Sequence, residues 1–281
     1  MIESLVKPQV AIKEPWHCLL LGVLFCFIAI ILTLQLGLAN APGAGFLTIS
    51  FISIASAPLF VELYKLEIPK GRSLFKKYEH LIKIYAFFFG GIVLASSFFY
   101  VLAPNVAKSV LNDQIKELCV KQVISNEGCE SFEITGYAVK KIGFLTILLN
   151  NLKVLWMCFL LSFVLGAGAV FLVSWNATIL GTLIGKASEV PSSIGATGFS
   201  QIPLINYLII FPMVVLSILP HGFFEFLGYF TGAIAGGVLS VGLLKEKILS
   251  KEFIEIVKDS FIFLTLSSGL ILIGAIIESV L

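Results

Sequence analysis

Long apolar runs separated by short polar segments dominate the pattern of this chain. Seven of these runs approach or exceed the length of about 20 residues that a helix needs to cross a bilayer. They cover residues 16–38, 44–64, 81–103, 153–173, 203–219, 221–243 and 259–281. The pattern predicts an all-α fold, a polytopic membrane bundle of about seven transmembrane helices.

The fifth run is the weakest of these predictions. Residues 203–219 are few for a full span and include Pro212, so they form either a short span or a re-entrant segment. Two further apolar runs, 142–149 and 177–184, are too short to cross. Interfacial helices, extensions of neighbouring helices and re-entrant halves all fit them.

The basic residues predict the orientation. Lysines and the arginine concentrate in the segments 64–83 and 244–259, and loops rich in Lys and Arg stay cytoplasmic. With Lys7, Lys13 and Lys186 assigned to the same side, the N-terminus is predicted to be cytoplasmic and the C-terminus external, in the cell membrane. Segment 104–141 is then the main external region, with an amphipathic helix over 112–125.

Composition supports the membrane class and excludes others. Hydrophobic residues make up 58% of the 281 residues and charged residues 13%, whereas a soluble domain carries about 25% charged residues. The net charge of +2 provides no basic surface for nucleic acid. The predicted partner is the lipid bilayer, with no nucleic acid.

An ionisable pair lies inside one of the most apolar parts of the chain. His221 and Glu225 are four residues apart, so both lie on one face of a helix. Ionisable side chains inside a membrane are costly, about 3 kcal/mol or more, and they often mark solute or ion pathways. This face must therefore contact protein or a wet cavity.

Asn150 and Asn151 are predicted to lie at the same depth as His221 and Glu225, at the outer boundary. Asparagine both donates and accepts hydrogen bonds, which suits it to pair with a buried carboxylate. Two interpretations stay open: a functional polar site, or an interhelical clamp that only fixes packing.

Neither metal binding nor nucleophilic catalysis has a full set of residues. One histidine and one carboxylate fall short of the three protein ligands of a catalytic zinc site, so no metal and no cofactor are predicted. The serines show no nucleophile elbow. An intramembrane hydrolase is the third-ranked hypothesis, and an enzyme is less favoured than a non-enzyme.

Small residues at four-residue spacing predict close helix packing. They are Gly228, Gly232 and Gly236 after the ionisable pair, with Gly181 and Gly185 earlier in the chain. Packing within the chain is the first interpretation, and a homodimer through one of these faces is the second.

Cys119 and Cys129 lie in the polar segment, apart from Cys18, Cys26 and Cys158 in apolar runs. If that segment faces an oxidising compartment, the pair is predicted to form a disulfide. The other three cysteines are predicted to be packing residues.

These motifs resemble the stage II sporulation protein M family over about residues 76–281. The shared elements are Asn150-Asn151 before an apolar helix, Asn176 with Gly181 and Gly185, and Pro-His-Gly-x-x-Glu over 220–225. Ala177 stands where family members often have glycine, so this segment fits the family less closely. Asn176 is a secondary polar candidate. Residues 1–75 look like an added N-terminal hairpin of two helices, followed by the family-like domain 76–281.

The resemblance implies a membrane subunit that works with peptidoglycan-degrading partners, and hence membrane or envelope protein partners. Two functions from different classes follow. The leading prediction is a transport-like or permease-like component, which the polar residues favour, and the alternative is a scaffold. The resemblance favours a non-catalytic scaffold that assembles an envelope complex.

The orientation is testable with single cysteines in a Cys119→Ser, Cys129→Ser background. A membrane-impermeant maleimide is expected to label Lys108→Cys in intact cells and Lys247→Cys only after permeabilisation, because basic loops are retained in the cytoplasm. The opposite pattern would invert the topology.

Overall fold

The computed structural model describes residues 7–66, 74–120, 143–189, 203–248 and 250–281. All regular secondary structure in these residues is α-helical. The helices are α1 (Pro8–Lys13), α2 (His17–Gln35), α3 (Ala44–Leu66), α4 (Leu74–Leu102), α5 (Pro104–Val110), α6 (Asn112–Val120), α7 (Phe144–Leu165), α8 (Ala169–Ala187), α9 (Pro203–Lys245) and α10 (Lys251–Val280). Seven of them, α2 to α4 and α7 to α10, are long and apolar enough to cross a membrane. The predicted fold class, an all-α polytopic helix bundle, is confirmed.

The first three spans match the apolar runs, but the predicted fourth span, 153–173, is wrong. α7 ends at Leu165, Gly166 adopts a left-handed φ of +68°, and α8 begins at Ala169. Glycine tolerates this conformation because it lacks a Cβ. Residues 144–149 belong to α7, and 177–184 belong to α8, which is a full span.

The predicted helix boundary at Pro220 is also wrong. Residues 203–219 and 221–243 belong to one 43-residue helix, α9, with Pro212 and Pro220 inside it. A proline removes one backbone donor, and membrane helices tolerate this where neighbouring groups satisfy the freed carbonyl. A straight helix of this length measures about 65 Å, roughly twice the hydrocarbon core of about 30 Å.

The two halves of α9 therefore differ in burial. Leu208 and Leu216 in the first half are each 65% exposed, whereas the second half is buried almost continuously from Gly228 to Gly242. Only the second half lies at the centre of the bundle.

The two basic segments meet at one end of the bundle. Lys245 Nζ, at the end of α9, donates to the backbone oxygen of Lys65, at the end of α3, at 2.9 Å. The Tyr78 hydroxyl of α4 donates to Asp259 Oδ2 of α10 at 3.2 Å. The described parts of 64–83 and 244–259 thus share one end, as their common predicted side requires.

Lys186 lies at the opposite end, so its predicted grouping with these segments is wrong. Lys108 Nζ of α5, which follows the far end of α4, lies 2.9 Å from Glu189 Oε1, just past the end of α8. Lys186 is in the last turn of α8 and is buried. The physical reason is the break at Gly166, which makes α8 an extra span that reverses the chain direction.

α6 forms part of the amphipathic helix predicted over 112–125, and it packs against the bundle. Asp113 Oδ2 accepts a hydrogen bond from the backbone N–H of Gly45 at 3.0 Å, and the buried Gln114 donates through Nε2 to Thr178 Oγ1 of α8 at 3.2 Å. Residues 121–142 lie outside the described part of the chain.

The predicted disulfide also depends on residues that are not described. Cys119 is in α6, whereas Cys129 lies outside the described residues. Cys18, Cys26 and Cys158 are free, buried thiols, which agrees with their predicted role in packing.

The five predicted packing glycines all contact helices of the same chain. A Cβ on Gly236 would collide with the backbone carbonyl of Phe159 in α7, and one on Gly228 would lie 3.2 Å from the carbonyl of Ser267 in α10. Gly232 faces Leu155 of α7. Gly181 and Gly185 face α4 at Ser96 and Tyr100. These faces are therefore occupied within the chain and do not provide the homodimer surface.

The close approach at Gly236 predicts a stability loss for Gly236→Ala. The added methyl group meets backbone rather than a movable side chain, so we expect a cost of about 1–3 kcal/mol from overpacking and a lower midpoint of thermal unfolding in detergent. Gly269→Ala in α10 is the matched control, because a Cβ there meets nothing within 4 Å. Equal midpoints for the two variants would contradict the close contact.

Candidate functional site

A buried hydrogen-bonded cluster connects α7 and α9. Asn151 Nδ2 donates to Glu225 Oε1 at 2.6 Å, and the Tyr229 hydroxyl donates to Asn151 Oδ1 at 2.9 Å. Asn151, Glu225 and Tyr229 are 6%, 9% and 4% exposed. One asparagine side chain thus satisfies a carboxylate and a phenol at once, using its donor and its acceptor.

Helix periodicity and the glycine stripe produce this geometry. Glu225 and Tyr229 are four residues apart and lie on one face of α9, as do Gly232 and Gly236 further along. Because Gly236 lets α9 approach the backbone of α7 at Phe159, Asn151 of α7 comes within hydrogen-bond distance of both side chains. The packing glycines and the polar cluster therefore belong to one interface.

α10 closes the cluster from a third side. A Cβ on Gly274 would lie 2.7 Å from Glu225 Cγ and 3.2 Å from the backbone oxygen of His221. Further along the same interface, Thr231 Oγ1 and Ser267 Oγ are 2.7 Å apart, and Ser260 donates to the carbonyl of Ala235. Polar contacts thus continue along α9 and α10 beyond the carboxylate.

His221 is the second ionisable residue on this part of α9. His221 Nδ1 is buried without a hydrogen-bond partner among the described residues. The four-residue spacing gives a shared helix face, but the Glu225 carboxylate turns toward Asn151. The mutual orientation of the ionisable pair therefore stays a prediction.

The two other predicted polar residues contribute less. Asn150 is exposed, and its Nδ2 reaches Asn151 Oδ1 only at 3.3 Å. Asn176, in α8, donates to the carbonyl of Leu172 in its own helix at 2.8 Å. The structure thus brings Asn151 and Glu225 together, leaves Asn150 at the edge and places Asn176 on a different helix.

Sequence reasoning missed Tyr229. Its signal was the spacing, because residues 221, 225 and 229 follow one another at intervals of four on one helix face. A tyrosine among many aromatic residues gave no separate indication of a polar role. Its hydroxyl needs a partner once it is buried, and only the position of α7 supplies Asn151.

Chemically, the cluster is a short chain of donors and acceptors. Tyr229 and Asn151 donate in sequence toward Glu225, so the Glu225 oxygen nearest Asn151 serves as the acceptor. No three His, Cys, Asp or Glu side chains converge to hold a metal ion within the described ranges.

Comparisons with known proteins agree with the membrane architecture. A family model described as stage II sporulation protein M matches residues 84–281. An uncharacterized protein of Methanocaldococcus jannaschii is 37% identical over 59 residues, which are 20% of this chain and 22% of that protein. The match therefore spans about a fifth of that relative's length. No solved structure matches this chain.

The double role of Asn151 predicts a large stability loss for Asn151→Ala. Its removal leaves the buried Glu225 and Tyr229 groups without these partners, at roughly 1–3 kcal/mol for each, so we expect a clear drop in the thermal midpoint in detergent. Asn150→Ala is the neighbouring control. Because Asn150 is exposed, we expect a change within about 0.5 kcal/mol. Equal losses for the two variants would argue against the two hydrogen bonds that Asn151 makes to Glu225 and Tyr229.

Proposed function

This chain belongs to the stage II sporulation protein M family, and we propose that it is a non-catalytic membrane scaffold that assembles membrane or envelope proteins. The observation that carries this proposal is the closed cluster of Asn151, Glu225 and Tyr229, whose polar groups bind one another across α7 and α9. In this proposal the cluster fixes the shape of the bundle.

The position of the membrane-level cavity supports the scaffold over a conduit. A conduit requires a wet path that reaches the polar groups. A cavity of about 600 Å³ lies between α4, α8 and α9, and the residues around it, such as Phe226 and Phe230, are apolar. Glu225 is not among its lining residues and faces α7 and α10 instead. The polar cluster and this cavity therefore lie on different sides of α9.

The first half of α9 supplies surface for a partner. Leu204, Leu208 and Leu216 are 45%, 65% and 65% exposed, at multiples of four residues along one helix face. Such a row packs readily against another membrane helix. In this proposal the partner is a membrane or envelope protein, as the family resemblance implies.

A transport-like component is the second candidate, and His221 favours it. Its Nδ1 atom is buried with no hydrogen-bond partner in the described part of the chain, one helix turn from Glu225. An ionisable side chain with unused hydrogen-bonding capacity at membrane depth is typical of ion and solute pathways. Under this alternative, water reaches the α9–α10 interface.

Water access to Ser267 separates the two functions. Ser267 is fully buried and contacts Thr231, and Ser267→Cys is a small change at the interface that a conduit would wet. For a scaffold we expect no labelling by a water-soluble thiol reagent in proteoliposomes, as measured by peptide mass spectrometry. Labelling of Ser267→Cys in folded protein would favour transport and overturn the scaffold.

The control for reagent access is Leu281→Cys at the exposed C-terminus, which is expected to be labelled under either function. The native Cys18, Cys26 and Cys158 are buried and serve as internal reporters of unfolding. Labelling of the three native cysteines together with position 267 would show that the protein has unfolded, and it would not count as evidence for a conduit. The measurement would then be repeated on folded protein.

A further inference from the structure

We propose that the cavity between α4, α8 and α9 binds one hydrocarbon chain of a membrane lipid. The cavity has a volume of about 600 Å³, and all sixteen described residues that line it are apolar. Specific ligand sites in proteins have volumes of about 300–1,000 Å³. This inference stands whether the protein is a scaffold or a transporter.

The cavity follows from how α9 meets α4. The two helices touch where Tyr207 and Ser97 hydroxyls lie 2.9 Å apart, and again where the rings of Phe226 and Phe89 have centroids 4.6 Å apart. Residues 207 and 226 are separated by about 28 Å of helix, but 89 and 97 by only about 12 Å. The two helices cannot run side by side over this interval, so a gap between them is built into the fold.

Gly90 enlarges the gap on the α4 side. A Cβ built on Gly90 meets nothing within 4 Å, in contrast to the five packing glycines, whose Cβ atoms would all contact a neighbouring helix. Glycine is therefore not needed at position 90 to let a neighbouring helix come close. It leaves space that faces the cavity.

The chemistry of the lining selects the occupant. A buried water needs two to four polar partners, and the described lining offers only hydrocarbon and aromatic rings. An empty space of this size would forfeit the dispersion contacts that close-packed interiors make. The lining therefore fits an apolar occupant better than water or an empty space. Engineered apolar cavities of about 150 Å³ likewise stay dry and bind benzene or xenon.

The shape and the opening favour a lipid chain over a compact solute. On α4 the lining runs from Ile82 to Leu94, about 18 Å along the helix axis, which is close to the half-thickness of a hydrocarbon core of about 30 Å. Ala86, Leu219 and Phe223, which also line the cavity, are exposed. In a membrane these exposed residues meet lipid, so one chain of a neighbouring lipid can enter from the side.

Photo-crosslinking in proteoliposomes tests the site. The purified full chain is reconstituted in phosphatidylcholine that carries a diazirine in one acyl chain, and crosslinked peptides are identified by mass spectrometry. We expect labelling of the Phe226 region to exceed, severalfold, labelling around Phe261 and Val164. Those two residues are 71% and 70% exposed and represent ordinary lipid contact. Equal labelling at all three would overturn the proposal.

Filling the cavity provides the matched comparison. Gly90→Phe is expected to reduce labelling of the Phe226 region severalfold, whereas Gly269→Phe, at a position where a Cβ also meets nothing within 4 Å, is expected to leave it unchanged. Ala86→Phe at the exposed rim is a second variant in case Gly90→Phe fails to fold. Undiminished labelling in the folded variants, or an equal reduction by Gly269→Phe, would overturn the site.

Discussion

The hydrogen bonds of Asn151 fix the register between α7 and α9, and much of the bundle depends on that register. A polar group in the hydrocarbon core cannot hydrogen-bond to water, so leaving it without a protein partner costs several kcal/mol. Asn151 satisfies the Glu225 carboxylate and the Tyr229 phenol together. A shift of α7 by one residue along α9 would leave all three groups without these partners.

The glycines act together with this polar constraint. Gly236 lets the α7 backbone come close to α9, and Gly228 does the same for α10. Gly274 of α10 leaves room for the Glu225 side chain. Small residues allow close approach but do not by themselves choose a register, because a glycine surface can slide. Hydrogen bonds choose the register, and the glycines determine how close the helices come.

α9 separates two environments in the membrane part of the protein. One face carries Glu225 and Tyr229 toward α7 and α10, while Phe226 and Phe230 lie toward α4, where they contact Phe89 and line the apolar cavity. Polar contacts within the chain on one side and an apolar cavity on the other fit a protein that holds a shape and contacts lipid. This separation is why we favour a scaffold over a conduit, and why the lipid-chain site is independent of that choice.

The sequence alone determined the membrane class, the first three spans, the shared end of the basic segments and the meeting of Asn151 with Glu225. Each rests on a strong local signal: apolar length, charge, or a costly polar residue that needs a partner. Local signals failed at Gly166, where an apolar run conceals a turn, and at Pro220, where a helix-breaking residue lies inside α9. Tertiary structure decided both, since neighbouring helices decide whether a backbone break or a missing donor is tolerated. It also decided that Tyr229 joins the cluster, because side-chain pairing depends on the position of α7, which no spacing within α9 encodes.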